Sequence, residues 1–159
     1  MVACLSLVFL QPYVDSHAQT ASSPLDNLAG SWSGDGTITL ASGEREAIRC
    51  RATYRVGGDG NSVQQDLRCA SDSYTFDVDS NFSYNAEAGT IVGTWREKSY
   101  KNGGLLSGTA QAGSIEATVD GNNFKTAVAV DMKENEQSVS IRPQGTDVSE
   151  VTVTMRRNS

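Results

Sequence analysis

From Trp32 onward the chain alternates apolar and polar residues in short runs broken by clusters of Gly, Asn and Asp. A period of two is the signature of antiparallel strands joined by hairpins. In the second run Ile48, Cys50, Ala52, Tyr54 and Val56 share one face, and Arg49, Arg51, Thr53 and Arg55 take the other. Across the turn Gly57-Gly58-Asp59-Gly60-Asn61 the matching face is Val63, Gln65, Leu67 and Cys69. Pairing Val56 with Val63 sets Cys50 opposite Cys69, and directly opposed residues at a non-hydrogen-bonded site approach disulfide distance. One intramolecular bridge is therefore expected.

The same register runs on through the chain. Tyr74, Phe76, Val78, Ser80, Phe82 and Tyr84 face inward, and the loop Ala86-Glu87-Ala88-Gly89 returns to Ile91, Gly93 and Trp95, with Phe82 opposite Gly93. Asn102-Gly103 carries the strongest short hairpin signal and leads to Leu106, Gly108 and Ala110. Ile115, Ala117 and Val119 follow, then a turn at Asp120-Gly121-Asn122-Asn123, then Phe124, Thr126, Val128, Val130 and Met132. Val139 with Ile141, and Val151 with Val153 and Met155, supply the last two of ten strands. Such a meander leaves two exposed edges unless its first strand pairs with its last. The pattern thus predicts an all-β chain folded as a single closed up-and-down antiparallel β-barrel, with an open two-sheet sandwich as the alternative.

The N-terminal end reads differently. Met1 to Leu10 is apolar but too short to span a bilayer, and the polar stretch after it ends Ser16-His17-Ala18, a small-x-small cleavage pattern. Residues 1–18 read as a signal peptide lacking the usual basic start, the alternative being a buried N-terminal strand. Residues 19–24 read as a linker and 25–159 as the barrel domain, opened by a helical turn at Ser23-Pro24-Leu25-Asp26-Asn27-Leu28 in cap-then-proline order. Cleavage after Ala18 would remove Cys4 and the sole histidine, His17. A periplasmic or secreted location is expected, where two remaining cysteines pair. The net charge of -6 argues against nucleic acid as a partner. No second apolar stretch is long enough for a transmembrane helix.

At Leu28-Ala29-Gly30-Ser31-Trp32-Ser33-Gly34-Asp35-Gly36 the chain resembles the opening of calycin-type barrels, the group of lipocalins, fatty-acid-binding proteins and nitrobindin-like proteins, which begin with a helical turn and Gly-x-Trp. The resemblance implies a lipocalin-like barrel in which Trp32 closes the base and packs under an arginine of the final strand, Arg156 or Arg157. The chain departs from each subgroup: nothing between the first two strands matches the helical lid of fatty-acid-binding proteins, and a chain cleaved after Ala18 has no histidine for a nitrobindin haem.

Enzyme chemistry finds little support. A Ser-His or Cys-His pair is excluded once His17 is lost. Asp77-Val78-Asp79-Ser80-Asn81 starts like a calcium loop, but Phe82 replaces the required Gly and Ala88 the required Glu. No cofactor or metal is expected. Glu97 falls on the inward face near Trp95, as a ligand contact or raised-pKa acid, unless the strand changes phase there and exposes it. Small inward residues (Gly93, Gly108, Ala110, Ala117) cannot fill a barrel of this circumference. The cavity left would be lined by Tyr54, Gln65, Phe76, Ser80, Phe82, Trp95 and Thr126, the alternative being that larger side chains opposite fill it. Arg49, Arg51, Arg55 and Arg68 cluster on the outer face of one hairpin, with Arg51 opposite Arg68. They are neutralised by carboxylates such as Asp66 or Asp77, or else meet an anionic partner. The sequence therefore points to an exported, non-enzymatic barrel that holds a small apolar or amphipathic ligand. The alternative is an envelope interaction module or inhibitor with a filled interior.

Overall fold

In a computed structural model describing residues 22–159, the sheet removes its edges by closing on itself. A 3-10 turn, Asp26–Leu28, precedes ten strands: β1 (Gly30–Leu40), β2 (Arg45–Val56), β3 (Ser62–Ala70), β4 (Thr75–Asn85), β5 (Thr90–Glu97), β6 (Asn102–Gln111), β7 (Ser114–Gly121), β8 (Phe124–Lys133), β9 (Glu136–Gln144) and β10 (Val148–Arg157). Each strand pairs with its sequence neighbours, and β1 pairs antiparallel with β10 from Trp32↔Arg157 to Ile38↔Val151. The fold is a closed ten-stranded antiparallel barrel, not an open sandwich. The expected leader and the linker as far as residue 21 lie outside the described residues.

The β2–β3 register is Val56↔Val63, Cys50↔Cys69 and Arg51↔Arg68, and Phe82 opposes Gly93 across β4–β5. Cys50 and Cys69 are bridged, with their Cα atoms 4.1 Å apart. Close approach also fixes the glycines of β1. A Cβ on Gly34 or Gly36 would overlap the Thr154 or Thr152 carbonyl of β10, so only glycine lets the closing pair come this near.

One hairpin differs from expectation. Asn102-Gly103 lies at the start of β6, and Lys101 takes the left-handed conformation, with φ 52°. The cause is local: the Glu97 carboxylate accepts hydrogen bonds from the Tyr100 and Asp77 amides, and Asn102 Oδ1 accepts from the Gly103 amide at 2.8 Å. These bonds hold the turn at residues 98–101 and leave Asn-Gly to pair.

One end of the barrel is closed by the Gly-x-Trp segment. Ser23 Oγ accepts from the Leu25 amide and Asp26 Oδ2 from the Ser23 amide, which shapes the turn that buries Leu25 and Leu28. The fully buried Trp32 donates its indole N–H to the Leu28 carbonyl at 2.8 Å. Arg157 lies over the indole, its Cζ 4.4 Å from the ring centroid, and donates to the carbonyls of Ala29 and, at 2.8 Å, Asn27. Gly30, at φ +117°, carries the chain past that guanidinium. Of the two terminal arginines only Arg157 serves the base. Arg156 points outward to Glu136 at 2.7 Å, because the parity of Val153 and Met155 turns it to solvent.

Trp32→Ala should cost on the order of 3–5 kcal/mol in chemical denaturation. Arg157→Ala should cost less and expose Trp32 to acrylamide quenching, while Arg156→Ala, which loses only a surface ion pair, should change stability by under about 1 kcal/mol. Denatured protein isolated without reductant should show no free thiol at Cys50 or Cys69, and reduction should lower stability by roughly 3 kcal/mol without abolishing the fold.

Candidate functional site

Burial is uneven among the inward side chains, and the partly covered ones mark the candidate site. At the Trp32 end the inward side chains Val63, Phe82, Ile91, Ala110, Ile115, Met132 and Met155 are all buried. Elsewhere in the interior coverage is mixed: Ile38, Ile48, Trp95, Leu106 and Val151 are buried, whereas Leu67, Phe76, Val78, Val119, Val128 and Ile141, placed inward by the register, are only partly covered. Small residues make the room. Gly108 pairs with Ala117, so two neighbouring strands present almost no side chain to that level. The described side chains therefore pack tightly around Trp32 and leave a patch of inward apolar surface on β3, β4, β7, β8 and β9 incompletely covered.

All seven residues expected to line the interior do face it, and they divide by level. Tyr54 and Phe82 belong to the packed floor, at 6% and 8% exposure. Phe76 stands near the rim, stacked on Tyr74 at 6.2 Å between ring centroids. Thr126 is buried in the far wall, between Val119 and Pro143 in the register. Trp95 is buried against Phe124, edge to face at 5.5 Å, and donates its indole N–H to the Asp120 carbonyl at 2.9 Å. Gln65 is half-buried and Ser80 buried; they oppose one another on β3 and β4, and the same row continues to Tyr54 on one side and Trp95 on the other.

That row joins a polar chain across the floor. Gln65 Nε2 donates to the Tyr54 hydroxyl at 3.2 Å, and Tyr54 donates in turn to Gln137 Oε1 on β9 at 3.2 Å. Burial pushes the Tyr54 phenol up to about 12, against a smaller lowering from Gln65. Gln137 is completely buried, and its Nε2 has no hydrogen-bond partner among the described residues. Gln137 was not among the expected lining residues, although the alternation of Val139 and Ile141 extends back to it.

The charged candidates prove to be engaged. Glu97 is inward and 5% exposed, so the strand keeps its phase. Burial would raise its pKa, but hydrogen bonds from the backbone amides of Asp77, Tyr100 and Ser99 outweigh it and hold the carboxyl below its ordinary range. It pins a turn as an anion, so the raised-pKa acid is not what the structure shows. Asp77 and Asp79 lie on a strand, not a calcium loop. Lys98 contacts both, at 3.2 and 2.7 Å, and holds Asp79 below the usual carboxylate range. On the arginine face, Arg49 meets Asp35 at 3.0 Å, Arg55 meets Asp66 at 2.6 Å and Arg68 meets Asp77 at 3.0 Å. Arg51 has no ion pair among the described residues.

The raised Tyr54 pKa sets a pH window. An unfolded phenol ionises near 10.0 and the folded one near 12. Its contribution to stability is complete below the unfolded value and declines as pH rises towards the folded one, by about 2–3 kcal/mol in total. Urea denaturation across that interval should show this decline, and Tyr54→Phe should flatten it.

No family model and no curated protein matches the chain. Solved structures do. Rv2717c from M. tuberculosis superposes with a TM-score of 0.67 at 13% identity, over 85% of this chain and 95% of that one. The S-type phycobiliprotein lyase CPES from Guillardia theta does so with a TM-score of 0.60 at 12% identity, over 85% and 90%. At such identities the likeness is one of fold, that of a closed antiparallel barrel over most of the chain.

Proposed function

We propose that this protein is an exported binding barrel that takes up a small apolar or amphipathic molecule through the end opposite Trp32, and that it acts by holding the molecule rather than transforming it. The observation that carries this reading is the patch of inward apolar residues left partly covered, Leu67, Phe76, Val78, Val119, Val128 and Ile141, near the small pair Gly108 and Ala117. Apolar surface turned inward and left uncovered is stabilised by an apolar guest, and a mostly apolar wall with a few polar groups is the usual composition of a small-molecule pocket. Export is supported by the Cys50–Cys69 bridge, which persists in oxidising compartments.

Native mass spectrometry of protein purified from its own host should show a bound small molecule that is released on denaturation. The neutral dye N-phenylnaphthylamine should bind the emptied barrel with enhanced fluorescence. Ala117→Phe, which places a large ring at the Gly108–Ala117 level, should weaken dye binding by at least about 10-fold, a loss of about 1.4 kcal/mol, while the fold is kept. Folded protein with no copurifying mass and no dye binding would refute the reading.

A further inference from the structure

Charge is distributed unevenly between the two faces of the barrel wall. Of the arginines and lysines on the ten strands, only Arg157 occupies an inward position, and it lies at the base with its guanidinium committed to Trp32 and the carbonyls of Asn27 and Ala29. The others point outward, and Arg49, Arg55, Arg68 and Arg96 among them pair with carboxylates. The inward acids, Glu46 and Glu97, both lie towards the rim, and both accept hydrogen bonds from backbone amides. A ligand anion inside would be desolvated without a counter-charge and would pass two carboxylates on entry. The interior therefore discriminates against negatively charged guests.

Its polar groups favour a particular neutral one. Gln65 uses one amide N–H on Tyr54, whose own proton goes to Gln137. Gln65 Oε1 has no hydrogen-bond partner among the described residues, and Gln65 is half-buried at an inward position opposite Ser80. A primary carboxamide with a free carbonyl and a second free N–H presents one acceptor and one donor side by side. The complement is a group that donates and accepts from one edge.

We propose that the guest is held with an uncharged donor–acceptor head group, of the carboxamide or lactam type, against the Gln65 amide and the Ser80 hydroxyl, its apolar body lying among Leu67, Val78 and Val128. This inference rests on the interior-binding reading above and adds to it the class of ligand.

The test uses three molecules with one medium-length alkyl chain: the primary amide, the methyl ester and the carboxylate. Each competes with N-phenylnaphthylamine at neutral pH. The amide should displace the dye about 10-fold more effectively than the ester, which lacks the donor, and more effectively than the carboxylate. Gln65→Met, which keeps the volume and removes the amide, should bring amide and ester to within about twofold while dye affinity is retained. Should that variant fail to fold, Ser80→Ala is the second, with a smaller loss of amide preference expected. A carboxylate that binds as tightly as the amide, or an amide preference that survives Gln65→Met, overturns the head-group assignment and leaves interior binding standing. Folded protein that binds neither the dye nor any of the three overturns both.

Discussion

The pairing of β1 with β10 is the constraint on which the rest of the barrel depends. Nine hairpin pairings alone would give a curved sheet with two open edges, and its apolar face would have nothing to pack against. Closure turns that face into an interior. It requires glycine at 34 and 36, where the two backbones nearly touch, and it is completed by Trp32, which fills the end of the barrel under Arg157. The arginine uses the flat face of its guanidinium on the indole and its edge N–H groups on the carbonyls of the 3-10 turn. Lysine, a point charge without a fork of donors, could not serve both at once.

Once one end is sealed, the barrel has a packed floor and, on the proposed reading, a chamber above it. The floor is conventional core, apart from the Gln65–Tyr54–Gln137 chain, which places hydrogen-bonding groups beneath an apolar wall. Buried polar groups of this kind weaken a core unless they are satisfied. Here Tyr54 is satisfied on both sides, and Gln137 retains an unused donor. That loss of potential stability is understandable if the chain's polarity serves recognition, since an all-leucine floor would seal the barrel equally well and would orient nothing.

Much of this was legible in the sequence because strand parity is unforgiving. A slip of one residue anywhere would have moved the Cys50–Cys69 pair or the Phe82–Gly93 contact to the wrong face. Parity also held the answer for Arg157 over Arg156 and for Gln137, both continuations of well-marked inward series. The depth of each inward residue was not legible. Whether Phe82 or Phe76 is covered depends on strand tilt and on which end Trp32 plugs, neither of which alternation encodes. Nor does it show that Glu97 would be taken up by turn amides and so shift the hairpin away from Asn102-Gly103, since a buried carboxylate's partners come from loops rather than from strands.

The closing pair joins parts of the chain that are far apart: Arg157 and Ala29, which it hydrogen-bonds, are separated by 128 positions. Every other pairing joins sequence neighbours and can zip locally, so the loop entropy of assembly is concentrated in this one seam. When it opens, Ile38 on one side and Val151 and Val153 on the other become unprotected strand edges, and the sheet is presented to another copy of itself. The clasp at the base thus guards the molecule against polymerisation as much as it shapes the chamber.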